Sequence, residues 1–312
     1  MVKSMFGAIA GLRTHQSKMD VISNNIANVN TWGYKSRSAN FQDAMYQNLT
    51  NSTAGDTNAG GTGGKNSSQL GYGVNMGAIT TNFTTGSWGY TGDSSNCMIN
   101  GSGFFIVGSM PNLVGGNPVG VTTDLTDNTD PNVGRLSLSR VGIFKLDSNG
   151  YLTDDAGNYV YGFEPNADQT GWITNQIKPI KVPDVTTGTP PEPDSISSIT
   201  IAADGSITGI TTKGQQKVPI AQLAVASVQN PGGLEQSAGY LYSIEDNAGS
   251  VDAIPTVAAT TGEILSNYLE MSNVDLASEI ANMITTQRGY QANSKIITVT
   301  DEMLEQLVNM KR

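Results

Sequence analysis

Both ends of the 312-residue chain carry apolar or small residues at alternating steps of three and four, and the long middle does not. In residues 4–30 the repeating positions are Met5, Ala8, Leu12, His15, Met19, Ile22, Ile26 and Val29. This is the heptad spacing by which one helix packs against another. It predicts a helix of about 40 Å that ends near residues 31–33.

A longer repeat closes the chain. We interpret Ser272 to Asp275 as a helix-capping sequence, and the repeat that follows passes through Leu276, Ile280, Met283, Gln287, Tyr290, Ser294, Ile297, Asp301, Leu304 and Val308. A second apolar set on adjoining positions consists of Ile284, Ile296, Met303, Leu307 and Met310. The predicted helix is about 55 Å long. Because it is apolar on more than one side, a single neighbouring helix cannot cover it.

The middle of the chain reads as short β-strands separated by turns. Residues 104–107 form a compact apolar run, residues 198–202 and 206–212 are typical of a hairpin, and residues 218–228 alternate as a longer strand does. The predicted fold class is α+β, with long N- and C-terminal helices forming a coiled-coil-like inner layer and a central, mainly antiparallel β domain. The predicted domains are an N-terminal helix (1–32, pairing with 273–312), a flexible linker or extended segment (33–71), a β-rich outer domain (72–270) and a C-terminal helix (271–312). Within the linker, residues 48–68 are almost devoid of apolar side chains, which predicts a mobile loop.

Composition excludes several classes of chemistry. The chain has one cysteine, Cys97, and one histidine, His15, too few for an internal disulfide or a Cys/His zinc site. Glu263 and Glu270 have no visible carboxylate partner. We therefore predict no catalytic residue, no cofactor and no metal site, and we expect Cys97 to be a small buried residue. The net charge of -10 argues against nucleic acid as a partner, and no apolar run is long enough for membrane insertion.

Terminal helices with uncovered apolar sides indicate subunits that complete their cores by assembling. A contact between two different surfaces of neighbouring copies produces a helical filament when the rotation does not close. Purely intramolecular pairing of the two helices remains the alternative. The predicted assembly interface consists of Leu12, Met19, Ile22, Asn25, Ile26, Val29, Ile280, Met283, Ile284, Tyr290, Ile297, Leu304 and Leu307.

Three segments carry a family resemblance. The sequence NNIANVNTWGYK at residues 24–35, NGSGFFIV at residues 100–107 and the whole of residues 268–312 resemble the bacterial flagellar axial proteins of the rod and hook. The resemblance implies an inner layer of coaxial helices around a channel, an outer β layer, and a location in the hook or basal body outside the cytoplasmic membrane. It also implies export by the flagellar type III apparatus without a cleaved signal peptide. The implied partners are further copies of the chain in a helical homopolymer, the rod and hook-filament junction proteins, the hook cap during assembly, and the export apparatus.

Within this family the sequence favours the hook, the flexible joint that transmits torque from rod to filament, because residues 73–88 and the ending QLVNMKR resemble the hook protein. The alternative is the distal rod protein, because many hook proteins carry an additional outer β domain for which this chain has no obvious room. In a rod, docking of residues 58–66 on a neighbouring subunit would lock the polymer. A distant alternative is an extracellular carbohydrate-binding or adhesive β protein, against which the scattered positions of Trp32, Trp88 and Trp172 argue.

Overall fold

The fold is α+β, as predicted, with a helix at each end and an antiparallel β body between them. The computed structural model describes residues 2–55, 63–114, 117–126, 131–166, 171–182, 185–187, 192–194, 196–211, 217–237, 239–256 and 261–310. Helix α1 spans Val2–Ala27 and helix α2 spans Leu276–Met310. Short 3-10 turns occur at Val133–Arg135, Pro231–Gly233 and Asp246–Ala248.

The strands, in chain order, are β1 (Arg37–Asp43), β2 (Tyr46–Thr50), β3 (Ser68–Gly71), β4 (Val74–Thr81), β5 (Trp88–Tyr90), β6 (Cys97–Asn100), β7 (Phe104–Gly108), β8 (Leu113–Val114), β9 (Asn117–Pro118), β10 (Val121–Thr122), β11 (Leu136–Ser139), β12 (Phe144–Leu146), β13 (Leu152–Asp154), β14 (Tyr159–Phe163), β15 (Gln176–Pro179), β16 (Val185–Thr187), β17 (Glu192–Asp194), β18 (Ile196–Ile201), β19 (Ser206–Thr211), β20 (Lys217–Val228), β21 (Glu235–Gln236), β22 (Leu241–Ser243), β23 (Val251–Pro255), β24 (Glu263–Ser266) and β25 (Tyr268–Glu270). The hairpin predicted near residues 198–212 is formed by β18 and β19, and the long predicted strand is β20.

The chain divides into two compact units. The helical unit contains Met1–Val29, Ser36–Asn82 and Val274–Arg312, and the β unit contains Asn30–Lys35 and Phe83–Asn273. The predicted linker, residues 33–71, therefore does not stand apart, because most of it groups with the two helices. Its strands β1, β2 and β3 are paired antiparallel, β2 with β3 and β1 with β4, which lies just after the segment. All of β2 and β3 is exposed, so these strands lack the apolar alternation that would have revealed them. Part of the predicted loop, residues 56–62, lies outside the described residues.

The core of the β unit is organised around β7. This strand pairs with β11, β14 and β20 within a 13-stranded sheet. Successive side chains of a strand point to opposite faces, and here both faces are covered. Phe104 and Ile106 belong to one buried apolar cluster, whereas Phe105 and Val107 belong to a second. Burial on both faces explains why β7 is a continuous apolar run rather than an alternating one.

Cys97 lies in the second of these clusters with no exposed surface. Burial raises the pKa of its thiol well above the usual value, which makes the reactive thiolate unfavourable. The prediction of a small buried residue is confirmed.

The start of α2 differs from the prediction. The backbone N–H of Ala277 donates to Oδ1 of Asp275 at 3.0 Å, so Asp275 is the capping residue and Ser272 is not. The chain just before it belongs to the β unit, where the N–H of Asn273 donates to the Tyr34 carbonyl. Because Asn273 is held there, the helix begins three residues later than a cap at Ser272 requires.

Candidate assembly surface

The two helices of the helical unit pack antiparallel. Asn25 Nδ2 donates to Glu279 Oε1 at 3.1 Å, which joins the end of α1 to the start of α2. Farther along, a β-carbon on Gly289 would lie 2.7 Å from Cε1 of His15, and one on Gly11 would lie 2.6 Å from Nδ2 of Asn293. Residue numbers thus fall along α1 as they rise along α2. The glycines at these points let the two helices approach closely.

Asn25 also fixes the strand that follows α1. Its Nδ2 donates to the Arg37 carbonyl at 2.8 Å, and its Oδ1 accepts the Arg37 N–H at 3.0 Å. The side chain has no exposed surface, so its hydrogen bonds replace those that water would supply. Asn25 was predicted as an interface residue, and in the helical unit it holds α1, β1 and α2 together.

The buried positions on the side of α2 that meets α1 are small and polar rather than apolar. Thr286 and Thr300 are its buried residues, and their hydroxyls donate to the carbonyls of Asn282 and Ile296 one turn earlier. Gly289 and Asn293 lie between them at the close contacts with α1. Most apolar residues of the α2 repeat therefore lie on other sides of the helix.

The residues of the predicted interface fall into three groups by exposure. Ile22 and Asn25 are buried, and Leu12, Met19, Ile26, Val29, Met283 and Ile297 are half-buried. The exposed group lies wholly on α2 and consists of Ile280 (49%), Ile284 (52%), Tyr290 (39%), Leu304 (37%) and Leu307 (45%).

These exposed residues are part of a larger uncovered surface, which we call the α2 apolar surface. It also includes Leu276, Ile296, Val299, Met303, Val308 and Met310. Full burial of one such side chain is worth about 1.5–3 kcal/mol. Exposed apolar side chains gathered on one helix are typical of a surface that binds another, so the α2 apolar surface is a candidate assembly surface.

The charges on the two helices form no ion pair among the described residues, although Lys3 Nζ donates to Gln47 Oε1 and Lys18 Nζ lies over the ring of Phe41. Four ion pairs of the described residues lie in the β unit. Helix α1 carries Lys3, Arg13 and Lys18 against Asp20, whereas the last turns of α2 carry Asp301, Glu302 and Glu305. A basic helix and an acidic helix end are thus both available for contacts outside the chain.

A buried ionic cluster lies in the β unit, formed by Lys35, Arg140 and Glu270. Lys35 Nζ lies 2.7 Å from Glu270 Oε1, and Arg140 Nε lies 2.9 Å from Glu270 Oε2. The three side chains are at most 3% exposed. Burial lowers the pKa of Lys35, as does the nearby charge of Arg140, while Glu270 opposes both effects.

Backbone groups complete the cluster. Lys35 Nζ donates to the Thr84 carbonyl at 2.8 Å, and Glu270 Oε1 accepts the Gly86 N–H at 2.9 Å. The Arg140 guanidinium donates to the carbonyls of Gly101 and Gly103. Glu270, for which the sequence shows no partner, is therefore paired with two cations. The cluster is enclosed and saturated with protein partners, so its role is structural.

Two kinds of site are not found among the described residues. In that part of the chain, His, Cys, Asp and Glu side chains nowhere gather in threes that would hold a metal ion. Neither described helix is both long and apolar enough to cross a bilayer.

Comparison with known proteins finds matches at both ends of the chain. A sequence profile described as flagella basal body rod protein matches residues 8–35, and one described as flagellar basal body rod FlgEFG protein C-terminal matches residues 265–310. The flagellar basal-body rod protein FlgG of Bacillus subtilis is 33% identical over 314 aligned positions, which cover 100% of both chains. The chain belongs to the flagellar rod and hook axial protein family.

Other axial proteins align over their full length as well. The FlgG rod protein of Buchnera aphidicola subsp. Acyrthosiphon pisum is 33% identical, covering 98% of this chain and 99% of its own. The flagellar hook protein FlgE of Borreliella burgdorferi is 27% identical over 445 positions, covering 100% of both chains. This chain is therefore a structural protein of the flagellar rod or hook, and it is not an enzyme.

The two matched segments also include two of the three residues of the ionic cluster. Lys35 is the last residue of the first matched segment, and Glu270 lies near the start of the second. The axial-protein segments at the two ends of the chain thus supply two of its three charges, and the β body supplies Arg140.

Proposed function

We propose that this axial protein is a subunit of the distal flagellar rod, where copies polymerise into a straight tube that transmits torque. The proposal rests on the length over which this chain aligns with rod proteins and with hook proteins. FlgG rod proteins align over 312 and 314 positions, close to the 312 residues of this chain. The hook protein of Borreliella burgdorferi needs 445 positions, so it carries long segments that this chain lacks. The hook, which the sequence favours first, becomes the second candidate.

The α2 apolar surface supports the proposed inner layer. In this layer the terminal helices of neighbouring copies pack in a coiled-coil-like arrangement around a channel, and Ile280, Ile284 and Leu307 are covered by another copy. The apolar free energy gained on association then offsets the entropy of ordering the subunits. The β units form the outer layer.

The paired strands β2 and β3, which we call the arm, are consistent with a stiff polymer such as the rod. The arm and its flanking residues expose apolar side chains at Met45 (80%), Tyr46 (55%), Leu49 (59%) and Leu70 (42%). On a neighbouring subunit these side chains would be buried and would lock the outer contacts, as a rod requires.

The proposed partners are other copies of the chain, the adjoining rod and hook proteins, the hook cap during assembly and the type III export apparatus. The absence of disulfides is compatible with export in an unfolded state. Export without a cleaved signal peptide is part of this proposal.

Electron microscopy of isolated hook-basal bodies tests the proposal. The label is an antibody against residues 148–159, which include the exposed turns on either side of β13. We expect label on the straight rod below the hook. Label along the curved segment would instead establish the hook, and absence of label from both would refute an axial role.

A further inference from the structure

Asp154 is a buried carboxylate of the β unit, and among the described residues it belongs to no ion pair. It ends β13 opposite Phe144 of β12, and only 3% of it is exposed. Its Oδ1 accepts the Asp155 N–H at 2.7 Å, whereas Oδ2 is buried and meets no donor at hydrogen-bond geometry in the described part of the chain. Taking such a charge out of water is costly unless a cation or several donors replace the water.

The carboxylate lies where the turns of two hairpins meet. The turn from Asp154 to Asn158 joins β13 to β14, and Tyr240 lies in the turn between β21 and β22. The Ala156 N–H donates to the Tyr240 hydroxyl oxygen at 3.0 Å, which ties the two turns together. We call this contact the turn latch. Burial, and secondarily the nearby Asp154, raises the pKa of Tyr240, so its hydroxyl stays neutral in acidic and neutral solution.

Three titratable groups act on Asp154. Lys145 on β12 and Asp155 in the same turn form an exposed ion pair at 2.5 Å, and their charges act on Asp154 in opposite directions. The Tyr240 hydroxyl and the Asp155 N–H both favour the charged carboxylate, but burial is the largest effect and raises the pKa of Asp154 above its usual 3.8. Asp154 therefore takes up a proton at a higher pH in the folded chain than in an unfolded one.

We propose that Asp154 makes the turn latch responsive to pH, so that the latch tightens as the solution becomes acidic. The closed latch favours the neutral carboxyl group, which buries no charge and whose O–H can donate to the Tyr240 oxygen. When the latch opens, water solvates the carboxylate and its pKa returns towards 3.8. The contribution of Asp154 to closing is therefore complete below pH 3.8 and is lost as the pH rises through the folded pKa.

The latch would affect the β unit differently on the two sides of the cytoplasmic membrane. This consequence rests on the proposed export of the chain, whereas the latch itself does not. Near neutral pH, as in a cytoplasm, the charged carboxylate favours the open latch, which lowers the stability that export in an unfolded state has to overcome. In acidic surroundings outside the membrane the latch of an exported subunit is tighter.

Amide hydrogen exchange of the full-length chain in dilute solution tests the latch. The reporter is the Ala156 N–H, because opening the latch breaks its bond to Tyr240. Its protection factor, corrected for the intrinsic pH dependence of exchange, is measured from about pH 7 to about pH 4. We expect protection to rise as the pH falls, by at most about tenfold per pH unit, the limit for one coupled proton. Protection that does not change over this range would overturn the proposal.

Two neighbouring carboxylates supply a variant and its matched control. Asp154→Asn keeps an acceptor for the Asp155 N–H but cannot titrate, so protection of Ala156 should be independent of pH and should exceed that of the original chain at neutral pH. Asp155→Asn, at an exposed side chain, should keep the pH dependence. The same pH dependence in Asp154→Asn as in the original chain would contradict the role of Asp154.

Carbon-13 NMR of the Asp154 carboxyl group in the unaltered chain does not depend on the folding of any variant. A titration midpoint above 3.8 supports the latch, and a midpoint at or below 3.8 overturns it. Either result leaves the proposed rod function intact, because that function is tested separately by the position of the antibody label on hook-basal bodies.

Discussion

At the scale of single residues, Glu270 is the anion that permits two cations to be buried. Lys35 and Arg140 are both almost completely enclosed, and Glu270 gives one carboxylate oxygen to each. Replacing a whole buried ion cluster with apolar residues is often neutral, but removing one partner leaves the others without compensation. The stability that a mutation of the cluster removes therefore depends on whether Glu270 is lost, more than on how many ion pairs are lost.

Glu270→Gln is predicted to destabilise the β unit by about 3–5 kcal/mol, because it leaves two buried cations without an anion. Urea unfolding followed by tryptophan fluorescence measures this selectively, since Trp32, Trp88 and Trp172 all lie in the β unit. The matched control is Glu263→Gln on an exposed position of β24, for which we expect a change within about 0.5 kcal/mol. Equal stability of the two variants would refute the structural role of the cluster.

At the scale of elements, the pair of helices is held by close approach rather than by a large apolar seam. His15 packs on Gly289 and meets the ring of Phe41 edge to face, with centroids 5.4 Å apart. Its Nδ1 is buried without a protein partner among the described residues. Burial, and secondarily the nearby Lys18, lowers the pKa of His15 from its usual 6.5. The neutral imidazole is the form that fits this contact.

The stability of the helix pair is predicted to depend on pH through His15. Because the folded pKa lies below the unfolded value, the contribution is complete above pH 6.5 and is lost as the pH falls through the folded pKa. Thermal melting followed by helical circular dichroism above and below pH 6.5 measures the effect. His15→Gln is expected to reduce this dependence, and an identical pH dependence in the two proteins would contradict the prediction.

Sequence periodicity locates the elements but not all of their contacts. The heptads place α1 and α2, and apolar alternation places β18, β19 and β20, because both signals are local. The side of α2 that faces α1 was not predicted, since close packing through Gly289 and Thr286 leaves no apolar signal. The ionic cluster was missed for another reason: Glu270 lies 235 residues from Lys35 and 130 from Arg140, and attraction over such separations leaves no pattern in the chain.

At the scale of the whole molecule, a single copy leaves the α2 apolar surface exposed. The helical unit keeps Ile280, Ile284 and Leu307 about half exposed, and the β unit encloses two apolar clusters of its own. A substitution on the α2 apolar surface should therefore affect assembly without affecting the fold of the single copy.

Ile284→Asp is predicted to abolish polymerisation, because assembly would bury an unpaired carboxylate. In the single copy Ile284 is 52% exposed, so unfolding of the β unit should be unchanged. Sedimentation of polymers measures the first effect and tryptophan fluorescence the second. Gln291→Asp, on an exposed polar position of the same helix, is the matched control and is expected to polymerise. Normal polymerisation of Ile284→Asp would exclude this surface from the assembly.

The three charges of the ionic cluster become available at different times during synthesis of the chain. A chain emerges from synthesis with its N-terminus first, so Lys35 and Arg140 appear long before Glu270. Until Glu270 arrives, closing the β unit would enclose two positive charges with no anion. A chain that ends before Glu270 would have to bury Lys35 and Arg140 without an anion, so we expect its β unit to be less stable than that of a chain that includes Glu270. The cluster in this way couples the closing of the β unit to a residue that lies late in the chain.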